Sequence, residues 1–270
     1  FAEVAGFVGS ISSKHSTAKH GRHKTRTCRC NGADDPALRE LERSSISALA
    51  SAGGTPPPGF DAFHDLIWVD ELARCGAGGV LWSVFFSFGI SLPPVLAQGS
   101  QRLKEMCARP VISGEKVMSL AVSEPWAGSD VAGLRTTAEL TPCGKYYKVN
   151  GEKKWITSGI KASFFTTAVR TAGAGIGGDS LLLISPDTPG VSVRRMKTQG
   201  WWSSNTAFIT FDDVRVPVED ALIGEEGRGF LYIMHNFNHE RFSLAAMAAR
   251  YSRLCLGHAI AWARAASQDG

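Results

Sequence analysis

Leu120-Ala-Val-Ser-Glu-Pro-Trp-Ala-Gly-Ser-Asp130, answered further on by Trp155-Ile156-Thr157, is the stretch on which the reading of this chain turns. Its apolar opening ends a strand, and Glu124-Pro125 makes a turn. Gly128 allows close backbone approach, and Ser129-Asp130 supplies a cap for a short helix. Trp155 and Thr157 stand two residues apart on a strand, so both side chains leave one face. Exposed amides, two hydroxyls and an aromatic plate suit a large, flat, partly polar cofactor better than they suit a dry core.

Outward from this stretch the pattern is strand-like. Residues 145–149, then Asn150-Gly151, then 152–157 read as a hairpin, because Asn-Gly adopts the positive φ of a type I′ turn. Further strands are expected over 163–170, 180–185, 191–195 and 206–214. Short strands with turns between them and no helices argue for an antiparallel barrel or sandwich. The glycine-rich run 173–178 lies between two strands and opens no helix, so it reads as a hairpin loop and not as a dinucleotide fingerprint.

Helices flank this section. Residues 60–75 carry Phe63, Leu66, Ile67, Val69 and Leu72 at helical spacing; a second helix is expected over 80–90, Pro93-Pro94 punctuates, and a third covers 97–108. Ser113-Gly114-Glu115-Lys116 closes the section with turn residues. Beyond the strands, Ile233, Phe237, Glu240, Leu244, Met247, Tyr251, Leu254 and His258 mark one seam of a helix over 227–267, roughly 60 Å long. Such a seam calls for partner helices beyond the one the sequence supplies. The expected division is a basic, Ser/Gly-rich and disordered tail (1–58), a helical domain (59–117), a β domain (118–222) and the first helix of a C-terminal bundle (223–270).

Composition bounds the function class. An apolar share of 44% and a charged share of 20% are ordinary for a globular protein. The longest apolar run, 80–88, falls short of the ~20 residues a membrane span needs. Net charge is +4, yet residues 1–33 hold six Lys/Arg against one acid, which leaves the remainder at −1. The basic surplus belongs to the tail, so nucleic acid is not an expected partner. That tail reads as a linker or as a transit-like leader. The six cysteines contain no C-x-x-C pair, so zinc is not expected, and their scatter suits a reducing compartment.

Glu240 is the acid on an otherwise apolar seam. It reads either as a carboxylate paired with Arg241 or His239, or as a general base whose pKa is raised by desolvation. Trp201-Trp202 place one indole on each side of any strand, so one of them is expected at an edge or interface.

The order Ser-Glu-Pro-x-Ala-Gly-Ser-Asp, Asn-Gly-x-Lys-x-Trp-Ile-Thr, Phe-Asp-Asp-Val-x-Val-Pro and Gly-x-Gly-Phe before a long helix resembles the acyl-CoA dehydrogenase family of flavoproteins, from about residue 60 to 266. The resemblance implies an α+β multidomain fold: an N-terminal helical domain, a central antiparallel β-barrel domain and a C-terminal helical bundle, enclosing FAD and an acyl-CoA. It implies flavin contacts from Leu120, Ala121, Val122, Ser123, Ser129, Trp155, Ile156 and Thr157, with Thr157 near flavin N5 and Ser129 also meeting substrate. Asn238, His239, Glu240 and Arg241 fall on the CoA-contact run. In members resembling isovaleryl- and long-chain-type enzymes the base lies in this helix, at the position of Glu240. The implied chemistry is α,β-dehydrogenation of a thioester, with a flavoprotein or oxygen as electron acceptor and a homodimer or homotetramer as the assembled form. A flavoprotein oxidase of the same superfamily (acyl-CoA or nitroalkane type) and a non-catalytic truncated binding partner are the alternatives. Trp126, where the family has a small residue, and Trp201-Trp202, where it often has Arg, depart from the pattern. Most of the C-terminal domain is expected to be missing.

Overall fold

A computed structural model of the chain describes residues 61–267, and the basic segment read as 1–58 lies outside the described residues. The helical section opens with α1 (Ala62–Ala73), whose N-cap Asp61 accepts from the Phe63 amide at 3.0 Å while His64 returns a contact to the Asp61 amide. Helix α2 (Gly78–Phe85) passes into a π-helical turn (Phe86–Ser91), which the Ser91 hydroxyl stabilises by donating to the Phe86 carbonyl at 2.6 Å.

Pro93-Pro94 open a helix rather than interrupt one: α3 spans Pro93–Gln98, since proline's fixed φ and missing N–H suit a first turn. The single helix expected over 97–108 is therefore two. Gly99 takes an extended backbone, and the Ser100 hydroxyl accepts from the Leu103 amide to start α4 (Gln101–Ile112). By length and composition Leu81–Gln98 is apolar enough to cross a membrane, but half of it is buried inside the fold. Leu81, Phe85, Ile90, Leu92 and Val95 all sit in the core.

The β section is one eight-stranded sheet: β1 (Met118–Ala121), β2 (Thr137–Leu140), β3 (Tyr146–Ile156), β4 (Phe164–Arg170), β5 (Asp179–Ile184), β6 (Val191–Arg195), β7 (Ala207–Pro217) and β8 (Leu222–Ile223), the last reached through a one-turn helix α5 (Val218–Ala221). The order is β6-β7-β3-β2-β4-β5-β8, with β1 beside β4. The sheet is mixed and open, not a closed antiparallel barrel: β1 and β4 run parallel, Met118 opposite Phe164, and Thr137 of β2 meets Arg170 in parallel. The Ser163 amide donates to the Val117 carbonyl at 2.7 Å, so β1 and β4 begin together and leave in one direction.

Asn150-Gly151 does not turn the chain. β3 runs through it with a bulge opposite β7, and the expected arms 145–149 and 152–157 belong to one strand. Two side-chain facts explain this. Asn150 replaces the missing ladder bonds, donating to Asp213 Oδ1 at 3.0 Å and accepting from the Asp213 amide at 2.8 Å. At Gly151 (φ +144) a Cβ would lie 2.6 Å from Thr136 Oγ1, so glycine serves close approach of β2. The reversal between β2 and β3 falls instead at Pro142-Cys143-Gly144, where the Gly144 amide donates to the Thr141 carbonyl.

Strand alternation divides the core. On β4 and β5, Phe164, Ala168, Leu181 and Leu183 face the helices, whereas Phe165, Val169, Leu182 and Ile184 pack within the β section against Tyr147, Ile156 and Phe211. The long helix α6 (Gly229–Ala266) lays Ile233 into the helix-side core, and Ala246 and Met247 into a separate cluster with Val69, Leu81 and Phe85. It is pinned to α1 by Arg250 and Arg253, which both pair with Asp70. Past Tyr251 its side chains are largely exposed, Leu256, Ile260 and Trp262 among them.

Candidate active site

β1 ends at Ala121, and the next residues are held from behind. The Lys153 ammonium donates to the Val122 carbonyl (3.0 Å), and the Lys154 amide donates to the Ser123 carbonyl (2.8 Å). The Glu124 amide then closes a turn on the Ala127 carbonyl (2.8 Å). Glu124 itself is 3% exposed, and its carboxylate accepts from Lys153 Nζ (2.8 Å), the amides of Arg135 (2.7 Å) and Thr136 (3.0 Å) and the Trp126 indole N–H (2.6 Å). Burial pushes this carboxyl up, but the Lys153 charge and the donated bonds outweigh it and hold it below the usual carboxylate range. Lys153 is fully buried, and burial pulls its ammonium down to about 8 despite Glu124.

The expected bulk at Trp126 is absorbed locally. Its indole is tied to Glu124, and the Arg135 guanidinium lies 5.4 Å from the ring centroid. Ser129-Asp130 do not cap as expected: a 3₁₀ turn, Val131–Gly133, follows Asp130 without a side-chain cap bond. At Gly128 a Cβ would meet nothing within 4 Å, so the chain's own packing does not require glycine there and space is left for an outside group.

Trp155 has φ +67, sits where the β3–β7 ladder is irregular between Lys153 and Ile156, and is 55% exposed. Trp155 and Thr157 flank the buried Ile156, but Trp155 is left-handed and Thr157 follows the last ladder pair, Ile156–Ala207, so strand pairing alone does not set their two side chains on one face. A bulky residue held at positive φ is strained, and such strain gathers at functional sites. Ala121, Val122 and Ile156 are buried, whereas Ser123, Ser129, Trp155 and Thr157 are partly or fully exposed. Leu120 is half-buried and packs on both helix-side clusters.

The α6 residues separate. His239 lies within electrostatic reach of Asp65 of α1: burial pulls the imidazole below its usual value while Asp65 pulls it back, and burial likewise raises Asp65. Arg241 is exposed, donates to Asn238 Oδ1 at 3.1 Å and stacks 5.8 Å from the Phe237 centroid. Glu240 is half-buried, and among the described residues no hydrogen bond or ion pair holds its carboxylate. Burial raises it above its ordinary value, with Arg241 only partly offsetting. One turn earlier on the same face, Phe237 packs with Leu120 against the cluster containing Val122 and Ile233. The helix carrying Glu240 and the loop after β1 thus share one core. A cavity of about 140 Å³ between α2, the π-helical turn and the β3–β4 turn includes none of the expected site residues. Trp201 and Trp202 lie not on a strand but at a 3₁₀ turn, Trp201 packed edge-on against Trp82 at 5.5 Å.

Glu124 and Lys153 were not singled out from sequence. Lys153 shares the strand parity of the core residues Tyr147 and Val149, and a lone cation in that series is the signal that marks it.

Comparison with known proteins follows the same residues. The acyl-CoA dehydrogenase middle-domain profile matches residues 119–214, and the C-terminal-domain profile of the same family matches 227–270. "Probable acyl-CoA dehydrogenase YngJ" of Bacillus subtilis is 31% identical over 264 residues, which cover 95% of this chain and 67% of that protein. The chain belongs to the acyl-CoA dehydrogenase family. "Acyl-CoA dehydrogenase apdG" of Emericella nidulans is 45% identical over 204 residues, 75% of this chain and 46% of that protein. A probable acyl-CoA dehydrogenase of Mycobacterium abscessus superposes with a TM-score of 0.74 at 42% identity, covering 85% of this chain and 61% of that one. An acyl-CoA dehydrogenase of Bacillus anthracis, solved in complex with FAD, gives 0.68 at 28% identity over 80% and 37% of the two chains. The chain spans about half the length of the fungal relative.

Proposed function

We propose that this chain carries the flavin- and thioester-facing core of an FAD-dependent acyl-CoA dehydrogenase, with Glu240 as the base that removes the α-proton. The observation that carries the reading is Glu240 itself: a half-buried carboxylate, unpaired among the described residues and raised by burial, on the helix that packs against the loop after β1. A carboxylate in that state is poised to take a carbon-bound proton near neutral pH.

The residues present fit a flavin. Open space at Gly128, the accessible Ser123, Ser129 and Thr157 side chains and the outward indole of Trp155 offer donors and a stacking plate. Bound there, FAD would supply the two-electron acceptor for the hydride leaving the β-carbon. The chain's own part is to orient and to hold charge: Ser123 and Thr157 would donate hydrogen bonds to the ring's polar edge, and Trp155 would pack on it. Backbone donors around the carbonyl stabilise the developing enolate as Glu240 takes the proton. Arg241, exposed, pairs with a CoA phosphate, and Asn238 steadies it. The electrons leave to a flavoprotein or to oxygen, and the assembled enzyme is a homodimer or homotetramer.

The test is to load the purified chain with FAD and add acyl-CoAs of graded length without oxygen. The reading expects the visible flavin band to bleach with wild type and to persist with Glu240→Gln. A chain that takes up no flavin, or a Glu240→Gln variant that bleaches as fast as wild type, overturns it.

A further inference from the structure

We propose that Glu124 and Lys153 form a positioning clasp that sets Val122–Ser123 against residues 154–157 and thereby fixes the spacing of the two segments assigned to the flavin; the inference rests on the flavin reading above. The segments belong to strands that do not pair: β1 pairs with β4, while β3 pairs with β2 and β7. No ladder sets their separation. Among the described residues three polar contacts join them beside the shared packing of Ala121 and Ile156: the Lys154 amide on the Ser123 carbonyl and the Lys153 ammonium on both Val122 and Glu124, so two of the three come from one nitrogen.

The clasp sits where β3 lets go of β7. Lys153 is opposite Ile209 and Ile156 opposite Ala207, so residues 154 and 155 leave the ladder, and the Lys154 N–H goes to Ser123 instead. Trp155 takes its left-handed backbone at that point. On the other side, the Arg135 and Thr136 amides fasten Glu124 to the chain entering β2, and the Trp126 indole holds it within its own loop.

Four donors saturate the carboxylate, which has about four lone-pair positions, and Lys153, wholly buried, directs two of its three N–H donors at Val122 and Glu124. Neither group is free to move protons for a substrate; both are placed to hold position. A buried ion pair is also a poor source of net stability, since apolar residues of like volume often serve as well. What apolar residues cannot reproduce is directed hydrogen bonding, and loose support is what spoils a site otherwise present. The two roles therefore separate when both charges are removed together.

The experiment compares the full chain with the double variant E124Q/K153M, which keeps shape while removing the pair. Amide hydrogen exchange is followed without FAD, then FAD affinity and the shape of its visible band are read by titration. The clasp expects an unfolding midpoint close to wild type and faster exchange of residues 122–124 and 154–157 together, with β5 and β7 still protected. It also expects FAD binding weaker by roughly ten-fold or more, with an altered band. A folded double variant that exchanges and binds FAD as wild type does overturns the proposal. Should that double variant not fold, E124Q/K153Q, which also removes both charges, is read the same way, and wild-type exchange and FAD binding in it likewise overturn the proposal. Exchange needs no flavin, so a wild-type chain that binds none defeats the flavin reading, while coupled loosening of the two segments still shows that the pair joins them.

Discussion

Glu124 and Glu240 are both carboxylates withdrawn from water, and they are displaced in opposite directions. Glu124 has four donors, one of them an ammonium, and it lies below the ordinary carboxylate range. Glu240 has burial with only Arg241 to offset it, and it lies above. The difference teaches that burial alone does not assign a role: partners decide whether a buried acid holds structure or is left able to exchange a proton. The first carboxylate binds the loop after β1 to β3; the second stands on the helix that packs on that loop.

The largest expected effect comes from stranding one charge. Lys153→Met leaves Glu124 buried without its cation, and such breakage costs about 3–5 kcal/mol. Denaturant unfolding measures this, and a loss under ~1 kcal/mol would place the pair with exposed, water-screened ones. Next, Glu240→Gln should slow acyl-CoA-driven bleaching by on the order of 10²-fold or more while leaving the chain as stable as wild type or more so at neutral pH. A stability loss like that of Lys153→Met would erase the contrast between the two acids.

The sign of the pH dependence sharpens it further. Glu124, lowered in the folded chain, contributes stability above its unfolded value near 4.5, and this contribution is lost as pH falls through the lowered folded value. Glu240, raised when folded, costs stability once ionised, and the cost disappears as pH falls through its raised value. Unfolding free energies across acid pH should therefore show the deficit of Glu124→Gln shrinking at low pH. The surplus of Glu240→Gln should shrink earlier in the same descent, and parallel curves would contradict both assignments. The smallest effect is Trp126→Phe, which removes one of four donors from Glu124 and should cost about 1 kcal/mol. Unfolding measured beside Lys153→Met would show it as a minor contribution; an equal loss would make Trp126, and not Lys153, the anchor.

Much of the fold was readable where pattern and environment agree. Short strand-like runs bounded by turn residues marked β4, β5 and β6 within a residue or so, and the seam from Ile233 to Tyr251 located the buried half of α6. Local signals misled where tertiary partners took over. Asn150-Gly151 reads as a turn until Asp213 and Thr136 are brought beside it, and Pro93-Pro94 reads as a stop until the π-helical turn places them at a helix start. The parallel pairing of β1 with β4 carries no local signature at all. At the site, the residues in the motifs were legible, but their division of labour was not. Ala121, Val122 and Ile156 are buried, and His239 is half-buried within electrostatic reach of Asp65. Glu124 and Lys153, 29 residues apart, could be joined only by the fold.

The most direct test of the central claim follows the proton. With FAD-loaded chain in deuterium oxide under anaerobic conditions, mass spectrometry of recovered acyl-CoA reports exchange at the α-carbon. The account expects deuterium to enter with wild type and not with Glu240→Gln, at equal thioester binding. Equal incorporation in the two proteins would contradict Glu240 as the base and, with it, the contrast drawn between the two buried acids.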